Sequence, residues 1–286
     1  MQFTKMHGIG NDYIYVNGFH QAVRDPAALA PIIADRHTGV GGDGLILLLP
    51  PDENTNADCV MRMFNADGSE SEMCGNGIRC VCKLAHDSGV VTNNPMTIST
   101  GAGVLTLNYS LDSQDKVHEV AVDMDEPILD PTHVPADVDH MTATDKPHTF
   151  VIDLPETNES FIVTLVSMGN PHATIFVPDV HAIDLNQLGP LLEHHPAFPN
   201  RMNIHFVQHH SRTEVTMRTW ERGSGITLAC GTGASAVCIS GALTERNDRK
   251  ILAHLPGGDL TLDWQQNNHL IMTGTATEVF TGSWPS

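Results

Sequence analysis

Positive charge is scarce in this sequence. Its 15 lysines and arginines stand against 34 aspartates and glutamates, a formal net charge of −19 over 286 residues. So acidic a surface repels phosphate backbones and anionic lipid, which argues against nucleic acid and membrane surfaces as partners. Long apolar runs are missing too. The best candidate, LILLLPP from Leu45, ends in prolines and is far shorter than the ~18 residues of a membrane span. The opening MQFTKMHGIGNDYIYV has no cationic start followed by an apolar stretch, so no secretory leader is expected. A cytoplasmic protein whose cysteines stay reduced is the expectation. Proline and glycine are plentiful but scattered, and no low-complexity or linker segment stands out.

Cofactor and metal signatures are also lacking. GVGGDG (39–44) fits G-x-G-x-x-G literally, but the strand-like LILLL follows it, whereas a dinucleotide loop opens a helix. The lysines (Lys5, Lys83, Lys116, Lys146, Lys250) have no pyridoxal phosphate context. CGNGIRCVC has C-x₅-C-x-C spacing, not the C-x₂₋₄-C knuckle of a structural zinc site. The 17 histidines, including the pairs His194-His195 and His209-His210, show no ligand spacing and read as surface or loop residues. Neither cofactor nor metal is expected.

What the chain does contain is a second copy of itself. Laying Cys74 over Cys230 places Arg62 on Arg218, Phe64 on Trp220, Asn65 on Glu221, Gly75 on Gly231, Gly77 on Gly233 and Cys82 on Cys238. GVLTL (103–107) falls on GDLTL (258–262), and Gly10-Asn11 on Gly169-Asn170. A self-match over this span signals a duplicated domain. In each copy a strand (57–65, 213–221) leads through a polar turn to a cysteine and then a helix, GNGIRCVCKLAHDSG or GTGASAVCISGALTE. Strands return afterwards, so the fold class is α+β with two similar domains. The boundary falls near residue 130, in the proline- and acid-rich DEPILDPTHVPADVDH, giving domains 1–129 and 130–274. The last strand, 275–286, is a candidate to cross back and complete the first.

The two cysteines stand where a helix begins. The first turn of a helix carries unpaired amides and about half a positive charge, which favour an anion. A thiolate there is stabilised, and the same amides can hold a carboxylate. Two such mouths related by pseudo-twofold symmetry suit inversion of a carbon centre. One thiolate removes a proton from one face, and the opposite thiol delivers one to the other. Such acid–base groups are worth ~10² to 10⁴ in rate. Cys59, Cys80, Cys82 and Cys238 read as packing residues.

Taken together, HGIGNDY, MRMFNADGSESEMCGNGIRC, MGNPHA, RMNIHF and ERGSGITLACGTGASA resemble the diaminopimelate epimerase family almost end to end. The resemblance implies a cofactor-independent homodimer that interconverts LL- and meso-diaminopimelate, on the route to lysine and peptidoglycan. Each domain would be a curved, mostly antiparallel sheet around a central helix. Carried over by motif, Cys74 and Cys230 are the acid–base pair, and Gly75, Asn76, Gly231 and Thr232 bind the carboxylate at the reacting centre. Asn11, Asn65, Asn170, Asn203, Glu221 and Arg222 complete the substrate site, with His172 and Glu221 tuning the thiols. Some members carry glutamine where this chain has Gly44, and glycine is common at Asp125. Two other readings stand beside this one. A related racemase for proline or histidine would keep the cysteines, although the proline group tends to place histidine where this chain has Asn76. A thiol redox switch would use them as a disulfide.

Overall fold

The computed structural model describes residues 1–51 and 55–285. Strands β1 (Gln2–Gly8), β2 (Asn11–Asn17), β3 (Gly44–Leu49), β4 (Cys59–Asn65), β5 (Glu70–Ser71), β6 (Met96–Thr100), β7 (Gly103–Leu111) and β8 (Val117–Asp123) form the first half, with helices α1 (Pro26–Ile33) and α2 (Gly75–Asp87). The second half holds β9 (Thr142–Ala143), β10 (Thr149–Leu154), β11 (Glu159–Ser167), β12 (Pro171–Val177), β13 (Asn203–Ser211), β14 (Glu214–Glu221), β15 (Gly225–Thr227), β16 (Lys250–Leu255) and β17 (Gly258–Trp264). Its helices are α3 (Leu185–Glu193) and α4 (Gly231–Leu243), and β18 (Leu270–Thr275) and β19 (Thr277–Ser283) close the chain. The class is α+β. The chain divides into two compact units, Met1–Asp123 with Thr273–Ser286, and Met124–Met272.

Within the first unit, β1 pairs antiparallel with both β2 and the C-terminal β19. β2 runs parallel to β3, β3 antiparallel to β4, and β4 parallel to β6, from which β7 and β8 continue as a meander. The second unit repeats this scheme. β12 runs parallel to β13, β13 antiparallel to β14, and β14 parallel to β16, which pairs with β17. In each unit the connection across one parallel pair, β4 to β6 or β14 to β16, contains the cysteine and the helix that follows it.

Strand patterning follows burial. In β17, GDLTLDW, the alternate residues Leu260, Leu262 and Trp264 are buried, as period two requires of a half-covered strand. GLILLL of β3 is buried along almost its whole length because α1 and α2 both pack on it. α2 packs on β1, β2, β3 and β8, and α4 on β11, β12, β13, β16 and β17. Neither helix has a solvent face to speak of: α4 is buried from Gly233 to Gly241 without interruption. α4 accordingly shows little amphipathic contrast, and the small side chains of GASAVCISG let strands approach it closely.

Each copy also contains a short helix beyond the one that the pattern predicts. α1 and α3 start on aspartate caps: Asp25 accepts from the Ala28 amide, and Asp184 from the Asn186 and Gln187 amides. Pro31 and Pro190 sit inside them. An internal proline normally ends a helix, and it masks eight- and nine-residue elements. Asp125, where glycine is common in the resembled family, adopts φ +67°, a left-handed conformation that aspartate tolerates better than most residues.

Candidate active site

In the first unit Cys74 is the N-cap of α2, with extended backbone at φ −139° and ψ 117°. Its sulfur accepts from the Gly77 amide at 3.3 Å, and its thiol lies 3.3 Å from Asn11 Oδ1, to which it donates. The mouth therefore offers an amide to the thiolate and a carbonyl oxygen to the thiol. Asn11, which opens β2, is aimed by Asp43, whose Oδ2 accepts from Asn11 Nδ2 at 2.7 Å and from the Asp12 amide at 3.1 Å. Burial alone would raise the Asp12 carboxyl, but Arg36 and Lys5 outweigh it and hold it below the usual carboxylate range. Gly75 and Asn76 form the first turn of the helix. Asn65, at the end of β4, bonds through Nδ2 to Ser69 Oγ at 3.0 Å.

A buried cation lies just behind this mouth. Arg79 is 0% exposed and donates to Gly75 O at 3.1 Å and Thr275 O at 3.4 Å. Burial lowers its proton affinity, while the neighbouring Cys80 and Cys74 act the other way.

The second unit builds the corresponding mouth from different partners. Cys230 caps α4 with the same extended backbone, φ −127° and ψ 103°, but is 4% exposed. Burial first, and the Glu221 carboxylate second, push its thiol well up; Thr232 and the Gly233 amide pull the other way. Thr232 Oγ1 is 3.7 Å from the sulfur, and Glu221 Oε1 accepts from Thr227 Oγ1 at 2.5 Å. Asn170 donates from Nδ2 to Thr232 Oγ1 at 3.3 Å, and its Oδ1 is 2.9 Å from His172 Nε2.

Asn203 and Arg222 form a separate pair. Asn203 Oδ1 accepts from the Arg222 amide at 2.9 Å, and Nδ2 donates to Pro171 O at 2.7 Å. Both ends of that amide are committed to backbone, so Asn203 shapes the loop that carries Arg222. The Arg222 side chain is exposed and donates to Asn200 O at 3.2 Å. Each unit thus gathers its own cysteine, helix-mouth residues and asparagine. Asn65 stands at the end of β4, and Asn203 pairs with His172 by strand register, with the Arg222 charge acting on the same histidine.

Gly44 has no room for the glutamine that some members carry. A Cβ there would lie 2.1 Å from Phe64 O, so β3 and β4 close over the position. The cysteines read as packing are buried: burial pushes Cys59 and Cys238 up to about 12 and Cys80 to about 11, values at which a thiol is inert at neutral pH.

Two functional candidates carried no weight in the sequence reading. The resemblance places His172 at the site, but His205 falls among the histidines expected at the surface, and it too is 0% exposed. His205 Nε2 lies 2.9 Å from His172 Nδ1, and burial lowers His205 to about 3. Its signal was its place within the apolar run of NIHFV on a strand between two others. The signal for Arg79 was its position as the one charge among Ile78, Cys80, Val81 and Cys82.

The family model described as diaminopimelate epimerase matches residues 3–129 and 164–279. The diaminopimelate epimerase of Brachyspira hyodysenteriae is 48% identical over 285 residues, 99% of this chain and 98% of that protein. That of Agathobacter rectalis is also 48% identical over 285 residues, with 99% and 98% covered. Among solved structures, a probable proline racemase from Agrobacterium radiobacter K84 with bound carbonate superposes with a TM-score of 0.66 at 16% identity, covering 99% of this chain and 92% of that one. At such identity the likeness is one of fold.

Proposed function

This chain belongs to the diaminopimelate epimerase family, and on that premise we propose that it interconverts LL- and meso-diaminopimelate by proton transfer at the α-carbon, with Cys74 and Cys230 as the two proton carriers. The reading is carried by one observation above all: in each of two homologous units, a cysteine caps the buried helix at the same register. One thiolate takes the α-proton and becomes a thiol. The other thiol donates its proton to the opposite face of the planar carbanion and becomes a thiolate. Charge and protons balance, and the return reaction uses the same groups in reverse.

Each thiol therefore has to be stable in both forms, and the partners support that. In the first unit Asn11 Oδ1 accepts from the thiol and the Gly77 amide donates to the thiolate. In the second, Glu221 favours the thiol, while Thr232 and the Gly233 amide favour the thiolate. The first-turn residues Gly75-Asn76 and Gly231-Thr232 are the cradle for the α-carboxylate, where aligned amides stabilise charge as it develops. Arg222 and the asparagines Asn11, Asn65, Asn170 and Asn203 are assigned to the distal groups, directly or by placing their loops. A cytoplasmic homodimer feeding lysine and peptidoglycan synthesis belongs to the same reading.

Incubation with LL-diaminopimelate in deuterium oxide tests it. Deuterium is expected at the α-position of both stereoisomers. No incorporation by the reduced protein, or faster turnover of proline than of diaminopimelate, would overturn the proposal.

A further inference from the structure

A buried chain of polar groups runs through the second unit and ends at Cys230. Thr219 Oγ1 lies 3.0 Å from His205 Nδ1, His205 Nε2 2.9 Å from His172 Nδ1, and His172 Nε2 2.9 Å from Asn170 Oδ1. Asn170 Nδ2 donates to Thr232 Oγ1 at 3.3 Å, which is itself 3.7 Å from Cys230 Sγ. One link fixes the direction of the others. Asn170 Oδ1 only accepts, so His172 Nε2 carries a hydrogen. Burial keeps His172 neutral, so its Nδ1 is bare and receives a hydrogen from His205 Nε2. His205 is neutral for the same reason. Its own Nδ1 is then bare and accepts from the Thr219 hydroxyl. All the bonds point from Thr219 towards the sulfur. Thr232, already accepting from Asn170, keeps its hydroxyl proton for Cys230.

The fold does not require these groups. By strand register, Tyr13, Ile46 and Met63 occupy in the first unit the places of His172, His205 and Thr219 in the second. Beneath the two helix mouths the match is direct: a Cβ on Gly77 would meet Ile46 Cδ1 at 2.8 Å, and one on Gly233 would meet His205 Cε1 at 2.3 Å. At the places of His205 and Thr219 the first unit has the apolar Ile46 and Met63. The other buries two imidazoles, which is costly unless every nitrogen is hydrogen-bonded.

We propose that His205 is a positioning residue: by donating to His172 it holds a one-way hydrogen-bond chain that leaves the Thr232 hydroxyl proton directed at Cys230. The inference rests on Cys230 being a proton carrier, since the chain supplies the donor that its thiolate form needs. Were the chain reversed, Thr232 would give its proton to Asn170 and the thiolate would lose that donor. The charged groups facing these residues, Glu221 at Cys230 and Arg222 at His172, stay unchanged in the variants that follow.

Two readouts test it without substrate. In wild-type protein labelled with nitrogen-15 histidine, His172 and His205 are expected as neutral Nε2–H tautomers at neutral pH, with His205 assigned by its loss in H205Q. In competitive alkylation Cys74 serves as the internal standard. His205→Ile, which installs the first unit's residue, is expected to slow alkylation of Cys230 relative to Cys74 about tenfold, the worth of one hydrogen bond to a charged acceptor. H205Q, whose amide nitrogen can still donate to His172, is expected to recover most of that ratio. A protonated ring, an Nδ1–H tautomer at either histidine, or an unchanged ratio in H205I overturns the proposal. The wild-type spectrum decides the matter even where H205I fails to fold. Failure of the epimerase reading would appear separately, as absent deuterium exchange with both tautomers in place.

Discussion

The two helix mouths are homologous in backbone and unlike in chemistry. Both present a cysteine at the N-cap and glycine two residues into the helix. Behind Cys74, Arg79 bonds the carbonyl of Gly75; at the same register behind Cys230, Ser235 bonds the carbonyl of Gly231 at 2.9 Å. The acceptor beside Cys74 is a neutral amide, and the one beside Cys230 is a carboxylate. A single ancestral mouth has thus diverged into one backed by a cation and one faced by an anion. A reversible two-thiol reaction tolerates this, because it needs each sulfur to exchange a proton rather than to resemble the other.

The sharpest way to break the comparison is to remove one sulfur at a time. Cys74→Ala and Cys230→Ala are each expected to lower α-deuterium exchange by about 10² to 10⁴ or more, the usual worth of an acid–base group, with stability changed by only ~1 kcal/mol. Wild-type exchange in either variant would mean that its mouth is not catalytic. The next test addresses charge. Alkylation at neutral pH followed by peptide mapping is expected to modify the partly buried Cys74 before the buried Cys230. Arg79→Gln is expected to slow Cys74 about tenfold by removing a nearby cation that favours the thiolate. Glu221→Gln is expected to speed Cys230 several-fold by removing the carboxylate that opposes its ionisation. Equal responses at both cysteines would show that the divergence is without consequence.

Much of this was legible in the sequence, and what was missed was missed for physical reasons. The duplication, the strand–turn–cysteine–helix unit and the placement of both cysteines at helix starts followed from local pattern and capping chemistry. α1 and α3 did not, because Pro31 and Pro190 read as breaks in elements too short to show periodicity. His205 and Arg79 were hidden by a general tendency: histidine and arginine are mostly exposed, and only the packing of β13 and α2 shows these two fully buried. The position of Gly44 illustrates the same limit. Its meaning comes from Phe64, a neighbour across β3 and β4 that only the strand register reveals.

A further expected effect is thermodynamic and separates the units by pH. His205 has an ordinary value of 6.5 and a folded value of about 3 because burial disfavours its charge; His172 is lowered for the same first reason, with His205 and Arg222 adding to it. Between those values the unfolded chain binds a proton that the folded chain refuses. Stability contributed by such a group is therefore complete above the unfolded value and declines as pH falls below it. Going from about pH 7 to about pH 5, His205 alone is expected to withdraw about 2 kcal/mol. Ile46, its counterpart in the first unit, withdraws nothing. Urea denaturation of wild type and H205I at both pH values checks this: the wild type is expected to lose about 2 kcal/mol more than H205I over the interval. Equal losses would mean that His205 accepts a proton in the folded protein, which the chain of donors leading to Cys230 does not allow.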